Sequence, residues 1–413
     1  MEAQAQVAET ARRAARVLAN ASTPAKDAAL RAAAAELRRQ QGRVLAANRE
    51  DTQAAERARL SAAMRDRLTL TPERIEAMAR GIEIVAELPD PVGQTVSMWR
   101  RPNGLEIRQV RVPLGVVAVI YEARPNVTAD AAALCLKAGN AVILKGGSEA
   151  RGTSEAIVDA LRAAVREKGL PGEAIQFVGE REAIAALLRQ EGAVDVVIPR
   201  GGEELIRAVT RESRAPVIQH FAGVCHTYVD ADADLGMAER ICLNAKTQRP
   251  WVCNAMENLL VHEGVAPRFL PAVARALTAA GVEIRGCERT RALVPGARAA
   301  SESDWTTEYL DLVLAVKVVG SLDEGIAFVN RCGSGLADAI VTENYSHARR
   351  FLQEVDSATV YVNASTRFTD GYEFGFGAEV GISTNRLHAR GPMGLRELTT
   401  YKYVIYGSGQ IRE

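Results

Sequence analysis

VVAVIYEARPNVTADAAALCLKAGNAVILKGGSEA, residues 116–150, is the stretch that decides the fold. Its opening run VVAVIY and the later run AVILK at 141–145 are apolar and β-branched without alternation, the pattern of strands covered on both faces. Between them an alanine-rich segment reads as a helix from about Thr128, long enough to return the chain to the start of a parallel neighbour. Strand, helix and strand make a βαβ unit, and Lys145-Gly146-Gly147-Ser148 closes its second strand with a polar, glycine-rich turn.

The alternation continues with a helix from about Ser154, the strand IQFV, another helix and DVVI, which runs into Pro199-Arg200-Gly201-Gly202. The turns at 145–148, at Gly179-Glu180 and at 199–202 all follow strands, which is where an open parallel sheet binds its ligand, a nucleotide being the obvious candidate. A second series follows Thr227: TYVD, NLLVH, LDLVLAV, DAIVTE and TVYVN, separated by helical stretches. The expected fold is therefore α/β, with two lobes built on parallel sheets. Residues 1–90 are rich in Ala, Arg and Glu at helical spacing, and Thr23-Pro24 and Thr71-Pro72 read as caps followed by proline at the first helical position. Acids recur through this segment, which suits a folded helical layer better than an organelle-targeting peptide.

The 413 residues carry 51 Lys+Arg against 51 Asp+Glu, so no overall field draws the chain to nucleic acid or an anionic membrane. The longest apolar runs, GVVAVIY and LDLVLAV, fall far short of the ~20 residues that span a bilayer, and the N-terminus lacks an apolar signal core. A cytoplasmic protein is expected. The cysteines at 135, 225, 242, 253, 287 and 332 form no CxxC pair, which points to a reducing compartment. The histidines are dispersed, and His262-Glu263 lacks the second histidine of a zinc-protease helix, so no metal is expected.

Cys253 lies in KTQRPWVCNAMENLL, residues 246–260, at an element boundary behind a cationic and amide-rich flank. Positive charge there favours a thiolate, although a free cysteine is also a common small buried residue. Lys145 ends an apolar strand, where an ammonium and backbone amides hold a ribose or phosphate, or where a lysine is simply solvated. KGGSEARGTS is no Walker loop, and GFGAEVG at 375–381 has the wrong glycine spacing for a Rossmann turn and reads as a loop. Glu308, two residues before LDLVLAV, either reaches a cofactor hydroxyl or faces water. Asn126 either donates into a cleft or caps the next helix, and the pattern alone favours the cap.

Four stretches resemble the aldehyde dehydrogenase superfamily: residues 113–150, VDVVIPRGG at 194–202, NAKTQRPWVCNAMENLLVH at 244–262, and YVNASTRFTDGYEFGFGAEVGISTNRLHARGPMGL at 361–395. They span the chain from about residue 100 to its end. The resemblance implies an aldehyde dehydrogenase-like fold of two α/β lobes with parallel sheets plus a small β oligomerisation element. It assigns 1–98 and 113–222 to a cofactor-binding domain, 223–384 to a catalytic domain carrying the nucleophilic cysteine, and 99–112 with 385–413 to the oligomerisation element.

On the same resemblance Cys253 is the catalytic thiol, Asn126 an oxyanion-hole amide, Lys145 the residue on the adenosine ribose and Glu308 the one on the nicotinamide ribose. Gly201 belongs with the cofactor, and so does Ser148, which stands where many NAD-using members carry a glutamate and so suggests NADP. Arg249 would receive a leaving phosphate and Arg367 a substrate α-carboxylate, since a planar guanidinium suits both anions. One departure is informative. Oxidising members carry a water-activating glutamate where this chain has Gln219-His220-Phe221-Ala222-Gly223, which leaves His220 as the remaining candidate base.

The implied activity is NADPH-dependent reduction of L-glutamyl 5-phosphate to L-glutamate 5-semialdehyde with release of phosphate, through a cysteine thioester, in proline biosynthesis. A homo-oligomer is implied, and a separate glutamate 5-kinase must supply the acyl phosphate. The alternatives are a nucleotide-binding assembly module without catalysis, and a hydrolysing or CoA-acylating aldehyde dehydrogenase.

Overall fold

In the computed structural model, which describes residues 2–412, the strand Val116–Tyr121 is buried throughout and pairs in parallel with Ala141–Lys145 on one side and Val196–Arg200 on the other. Ile175–Phe177 completes this four-stranded sheet beyond Ala141–Lys145. The register sets Ile120 beside Lys145 and Tyr121 beside Arg200, so the turns that follow these three strands open at one carboxyl edge.

The connecting helix is Pro125–Lys137, which starts ahead of the expected Thr128 because Pro125 takes the first helical position, where a missing N–H costs nothing. Asn126 is consequently a helical residue and caps nothing; Arg124 precedes the helix and makes no side-chain cap bond.

The N-terminal region is a helical layer. Leu30, Ala33 and Ile82 of the helices Thr23–Arg39 and Pro72–Glu87 meet Ala129, Leu136 and Leu161 in the interior. Two buried lysines pin the layer in place. Lys26 Nζ lies 2.6 Å from Asp90, and Lys137 Nζ lies 2.5 Å from Asp27 and donates to the Ala86 carbonyl at 2.7 Å. Thr71 caps its helix as expected, accepting the Arg74 N–H at 3.2 Å. The first cap is shifted: Ser22 accepts from Ala25 and Thr23 is already helical.

This first compact unit runs to Gln219 and includes Gly375–Gly381 and the chain from Met393 on. Within it, Thr95–Arg100, Glu106–Pro113 and Thr399–Tyr406 form an antiparallel sheet with Glu106–Pro113 at its centre. Its surface exposes apolar and aromatic side chains among polar ones. Val96, Met98, Trp99, Tyr401, Tyr403, Ile405 and Tyr406 are exposed, with Trp99 and Tyr403 edge to face at 6.1 Å.

The second unit comprises His220–Phe374 and Ile382–Pro392. Its seven-stranded sheet runs in the order Arg298–Ala299, Glu283–Gly286, Val313–Val319, Met256–His262, Cys225–Val229, Ala337–Val341, Thr359–Val362, every pairing parallel. The two strands at its first edge are short, and the sequence pattern does not separate them from the flanking helices. Alternate residues of the central strands serve opposite faces. Leu259 and Val261 pack with Phe269 and Val273 of the helix Ala266–Ala279, while Leu260 packs with Ile326 and Phe328 of the helix Leu322–Cys332. No helix among the described residues is long and apolar enough to cross a membrane.

Candidate active site

Cys253 lies in the turn between the helix Leu235–Thr247 and the central strand Met256–His262. It is half-buried and packs against Cys225, Leu336, Ala337 and Ile382. Gly223 makes room for it: a Cβ there would stand 1.9 Å from the Cys253 carbonyl oxygen and 2.5 Å from its Cα. Cys225, on the neighbouring strand, donates its thiol to that same carbonyl at 3.3 Å. Burial first, then Asp338 and Cys253, hold the Cys225 thiol well above its ordinary pKa, so it stays protonated as a donor.

Gly223, Cys253 and Glu308 all precede the strands they introduce, so in this unit the candidate residues gather at the amino edge of the parallel sheet. The carboxyl-edge rule that locates the glycine turns of the first unit does not find them.

Two guanidinium groups share the neighbourhood of Cys253. Arg367, on the short 3-10 turn Thr366–Phe368, donates to Gln248 Oε1 at 2.9 Å and also to Asn254 Oδ1. Asn254 is buried, donates to the Thr369 carbonyl at 2.8 Å, and its own carbonyl accepts from Thr366 Oγ1 at 2.8 Å. The residue next to the thiol therefore ties the 366–369 segment to the cysteine turn. Burial first and Arg249 second hold the Arg367 guanidinium below its ordinary pKa, while Asp370, Cys253 and Cys225 act in the opposite direction. An anion bound between the two arginines would relieve that repulsion.

Glu308 is half-buried in the segment between the 3-10 turn Glu302–Thr306 and the strand Val313–Val319. It lies five residues from the observed strand, farther than the sequence pattern suggests, because Leu310-Asp311-Leu312 stays outside the sheet. Its charge reaches Glu257, whose carboxyl burial pushes up to about 7 against the pull of Lys246. Lys246 and Glu257 form a buried pair that sequence reasoning missed. The signal was a glutamate in MENLLVH, in a strand that is covered on both faces.

In the first unit, Lys145 ends its strand half-buried and donates to the Gly146 carbonyl at 2.6 Å. Burial chiefly holds its ammonium below the ordinary lysine pKa, with Glu149 opposing and Arg181 adding to the effect. Ser148 is exposed and opens the 3-10 turn Ser148–Ala150. Glu149 is engaged with backbone: its Oε1 accepts the Ala123 N–H at 2.8 Å. Gly201 is exposed, and a Cβ on it would meet the Glu122 carboxylate at 2.6 Å, which also accepts the Gly202 N–H at 2.9 Å. An ammonium, a hydroxyl and glycine turns at one sheet edge are a donor set that fits ribose hydroxyls and phosphate. Asn126 is exposed and donates to Asp130, the residue one helical turn on, at 3.2 Å.

His220 Nδ1 meets the Ile382 carbonyl at 3.0 Å, so that nitrogen carries a proton. Asp230, Asp232 and His347 place ligand atoms within 4.8 Å of one another. Asp230 is already taken up by Thr342 and His347, each at 2.7 Å, and by Tyr228 at 3.1 Å, so its carboxylate is engaged in a hydrogen-bonded cluster.

The aldehyde dehydrogenase family profile matches residues 2–292 and 300–404. The chain is 58% identical over 407 residues to the gamma-glutamyl phosphate reductase of Moorella thermoacetica, covering 98% of this chain and 97% of that one. It is 58% identical over 408 residues to the enzyme of the same name from Carboxydothermus hydrogenoformans, covering 98% of each. Among solved structures it matches the gamma-glutamyl phosphate reductase of Thermotoga maritima with a TM-score of 0.97 at 47% identity, over 99% of this chain and 100% of that one. An acetylating aldehyde dehydrogenase from Geobacillus thermoglucosidasius, at 16% identity and a TM-score of 0.69 over 100% of this chain and 98% of that one, shares the fold alone. By sequence along its whole length and by fold, the chain belongs to the aldehyde dehydrogenase family.

Proposed function

We propose that this protein reduces L-glutamyl 5-phosphate to L-glutamate 5-semialdehyde with NADPH, releasing phosphate, as a step of proline biosynthesis. The observation that carries this reading is the end-to-end similarity to gamma-glutamyl phosphate reductases. A half-buried thiol beside two guanidiniums, with no carboxylate in Gln219–Gly223 to activate water, supports it.

The Cys253 thiolate attacks the acyl carbon, and the new C–S bond leaves an oxyanion that the Asn126 amide and the Cys253 N–H stabilise. Collapse breaks the acyl C–O bond, and phosphate departs toward Arg249 without needing a proton. Arg367 holds the α-carboxylate. Lys145, Ser148, Gly201 and Glu308 hold the cofactor, Lys145 at the adenosine ribose and Glu308 at the nicotinamide ribose. When bound, NADPH supplies the hydride that takes the thioester to the aldehyde. Cys253 is then released as the thiolate. With Glu149 committed to the Ala123 N–H, the Ser148 turn favours a 2′-phosphate over a free 2′-hydroxyl.

The exposed apolar and aromatic side chains of the antiparallel sheet at 95–113 and 399–406 are assigned to self-association, since monomers rarely leave so many uncovered together. A separate glutamate 5-kinase supplies the labile substrate, and a reducing cytoplasm suits the six free cysteines. The test is an assay with glutamate semialdehyde, NADP and phosphate. Saturable NADPH formation that requires phosphate is expected. Equal rates with CoA or with water alone in place of phosphate would replace this reading by a CoA-acylating or hydrolysing enzyme.

A further inference from the structure

The helix Leu235–Thr247 and the strand Met256–His262 bracket the Cys253 turn, and each gives one charge to a pair with no solvent exposure: Lys246 Nζ lies 2.6 Å from Glu257 Oε2. The other oxygen, Glu257 Oε1, accepts the Leu310 N–H at 3.3 Å. Leu310 is exposed and sits at φ +53°, a left-handed conformation that a leucine adopts only under outside constraint. Two residues before it stands Glu308.

Tyr309, between them, is held from both ends. Its hydroxyl donates to Asp304 Oδ1 at 2.7 Å, and its ring centroid lies 5.9 Å from Lys246 Nζ and 5.2 Å from the Arg285 guanidinium. A buried ion pair is a poor device for stability alone, because well-packed apolar residues generally serve as well. What this pair does that apolar residues cannot is accept a specific backbone N–H from a distant loop.

We propose that Lys246 and Glu257 are positioning residues that lock the 308–310 backbone to the Cys253 turn, so that the cofactor-facing carboxylate and the thiol are presented in fixed register. Neither touches a reacting atom. The inference uses the proposed roles of Glu308 and Cys253, and it adds the coupling between them. Hydride transfer tolerates little error in placement, so loss of the register appears in cofactor KM and in kcat together.

Two double variants separate positioning from stability. Lys246→Met with Glu257→Leu removes both the pair and the acceptor for Leu310, whereas Lys246→Met with Glu257→Gln removes the pair and keeps an uncharged acceptor. The leucine form is expected to raise the KM for NADPH and lower kcat by about tenfold each, and the glutamine form to hold KM within about twofold of wild type. Equal behaviour of the two, whether both fall or neither does, overturns the proposal. Glu308→Gln is measured alongside: if it leaves the KM for NADPH unchanged, the assigned role of Glu308 fails, while the contrast between the two doubles still decides the anchor. Should the leucine form not fold, hydrogen exchange of the Leu310 amide in the wild-type protein decides instead. Protection above that of a solvated loop supports the anchor, and exchange at the rate of a free loop sinks it.

Discussion

Gly223 packs against the backbone of Cys253 so closely that no Cβ fits between them. Gly223→Ala must push the cysteine turn away from its place at the amino edge of the sheet. We expect kcat to fall about a hundredfold, since a displacement near 1 Å is enough for that loss. Folding stability should drop by about 1–3 kcal/mol, the usual cost of overpacking. Steady-state kinetics and thermal unfolding read the two effects. Activity close to wild type would show that the tight approach has no bearing on the thiol.

Cys253→Ala should abolish turnover and leave NADPH affinity unchanged, because the thiol forms the covalent bond but does not hold the nucleotide. Thiol counting needs one control. Cys287 is also half-buried, and although burial raises its pKa, hydrogen bonds with Thr290 and the Val318 N–H outweigh this and leave the thiol below the ordinary value. Iodoacetamide should therefore modify both Cys253 and Cys287 in the wild type, with substrate protecting Cys253 alone. Protection of Cys287 instead would move the nucleophile.

Arg367→Lys should raise the KM for the acyl substrate by about tenfold while leaving that for NADPH unaltered. A lysine cannot bond Gln248 and Asn254 together and still present a planar face to a carboxylate. A rise in the cofactor KM alone would assign Arg367 to the nucleotide.

Stability at acid pH should carry the signature of Asp130. Burial raises its carboxyl from 3.8 to about 6, against the Asn126 hydrogen bond and the charge of Arg200. Between those values the folded protein keeps a proton that the unfolded chain has lost, so stability falls as pH rises through the window and the penalty is complete above it. Asp130→Asn should remove that slope. Denaturant titrations at about pH 4 and about pH 7 should show the wild type losing stability relative to the variant at the higher pH. Parallel behaviour of the two proteins would mean that the carboxyl is not perturbed.

Oxidation of the semialdehyde by NADP without phosphate should give a burst of about one NADPH per active thiol and then a plateau. Phosphate should restore steady turnover. His220 is held through Nδ1 by the Ile382 carbonyl, and His220→Gln should leave the plateau unchanged. Continued NADPH formation with glutamate accumulating, abolished by His220→Gln, would identify the imidazole as a water-activating base and exclude a dedicated acyl-phosphate reductase.

Local pattern along the chain determined much of this protein. VVAVIY and AVILK could only be strands covered on both faces, and the helical stretch between them imposed a parallel pair, so Lys145 and its glycine turn fell at a carboxyl edge. Cys253 stands out as a residue at an element boundary behind cations, and the family motif around it carries its proposed role. These signals are local, because strand burial, turn chemistry and motif spacing act over a few residues.

Tertiary structure alone decided what meets Cys253. Gly223 and Cys225 reach it only because two strands distant in sequence became neighbours, and Arg367 only because Thr369 folds back to within 3.0 Å of Thr359 at the start of its strand. Asn126 reads along the chain as a helix cap, yet Pro125 starts the helix and turns the amide toward Asp130. Nothing along the chain marks Lys246 and Glu257 as partners, and only packing removed both from water and brought Leu310 to the second carboxylate oxygen. The physical reason is common to all of these cases: a parallel sheet brings together strand ends separated by whole helices, and the contacts made there leave no periodic trace in the sequence.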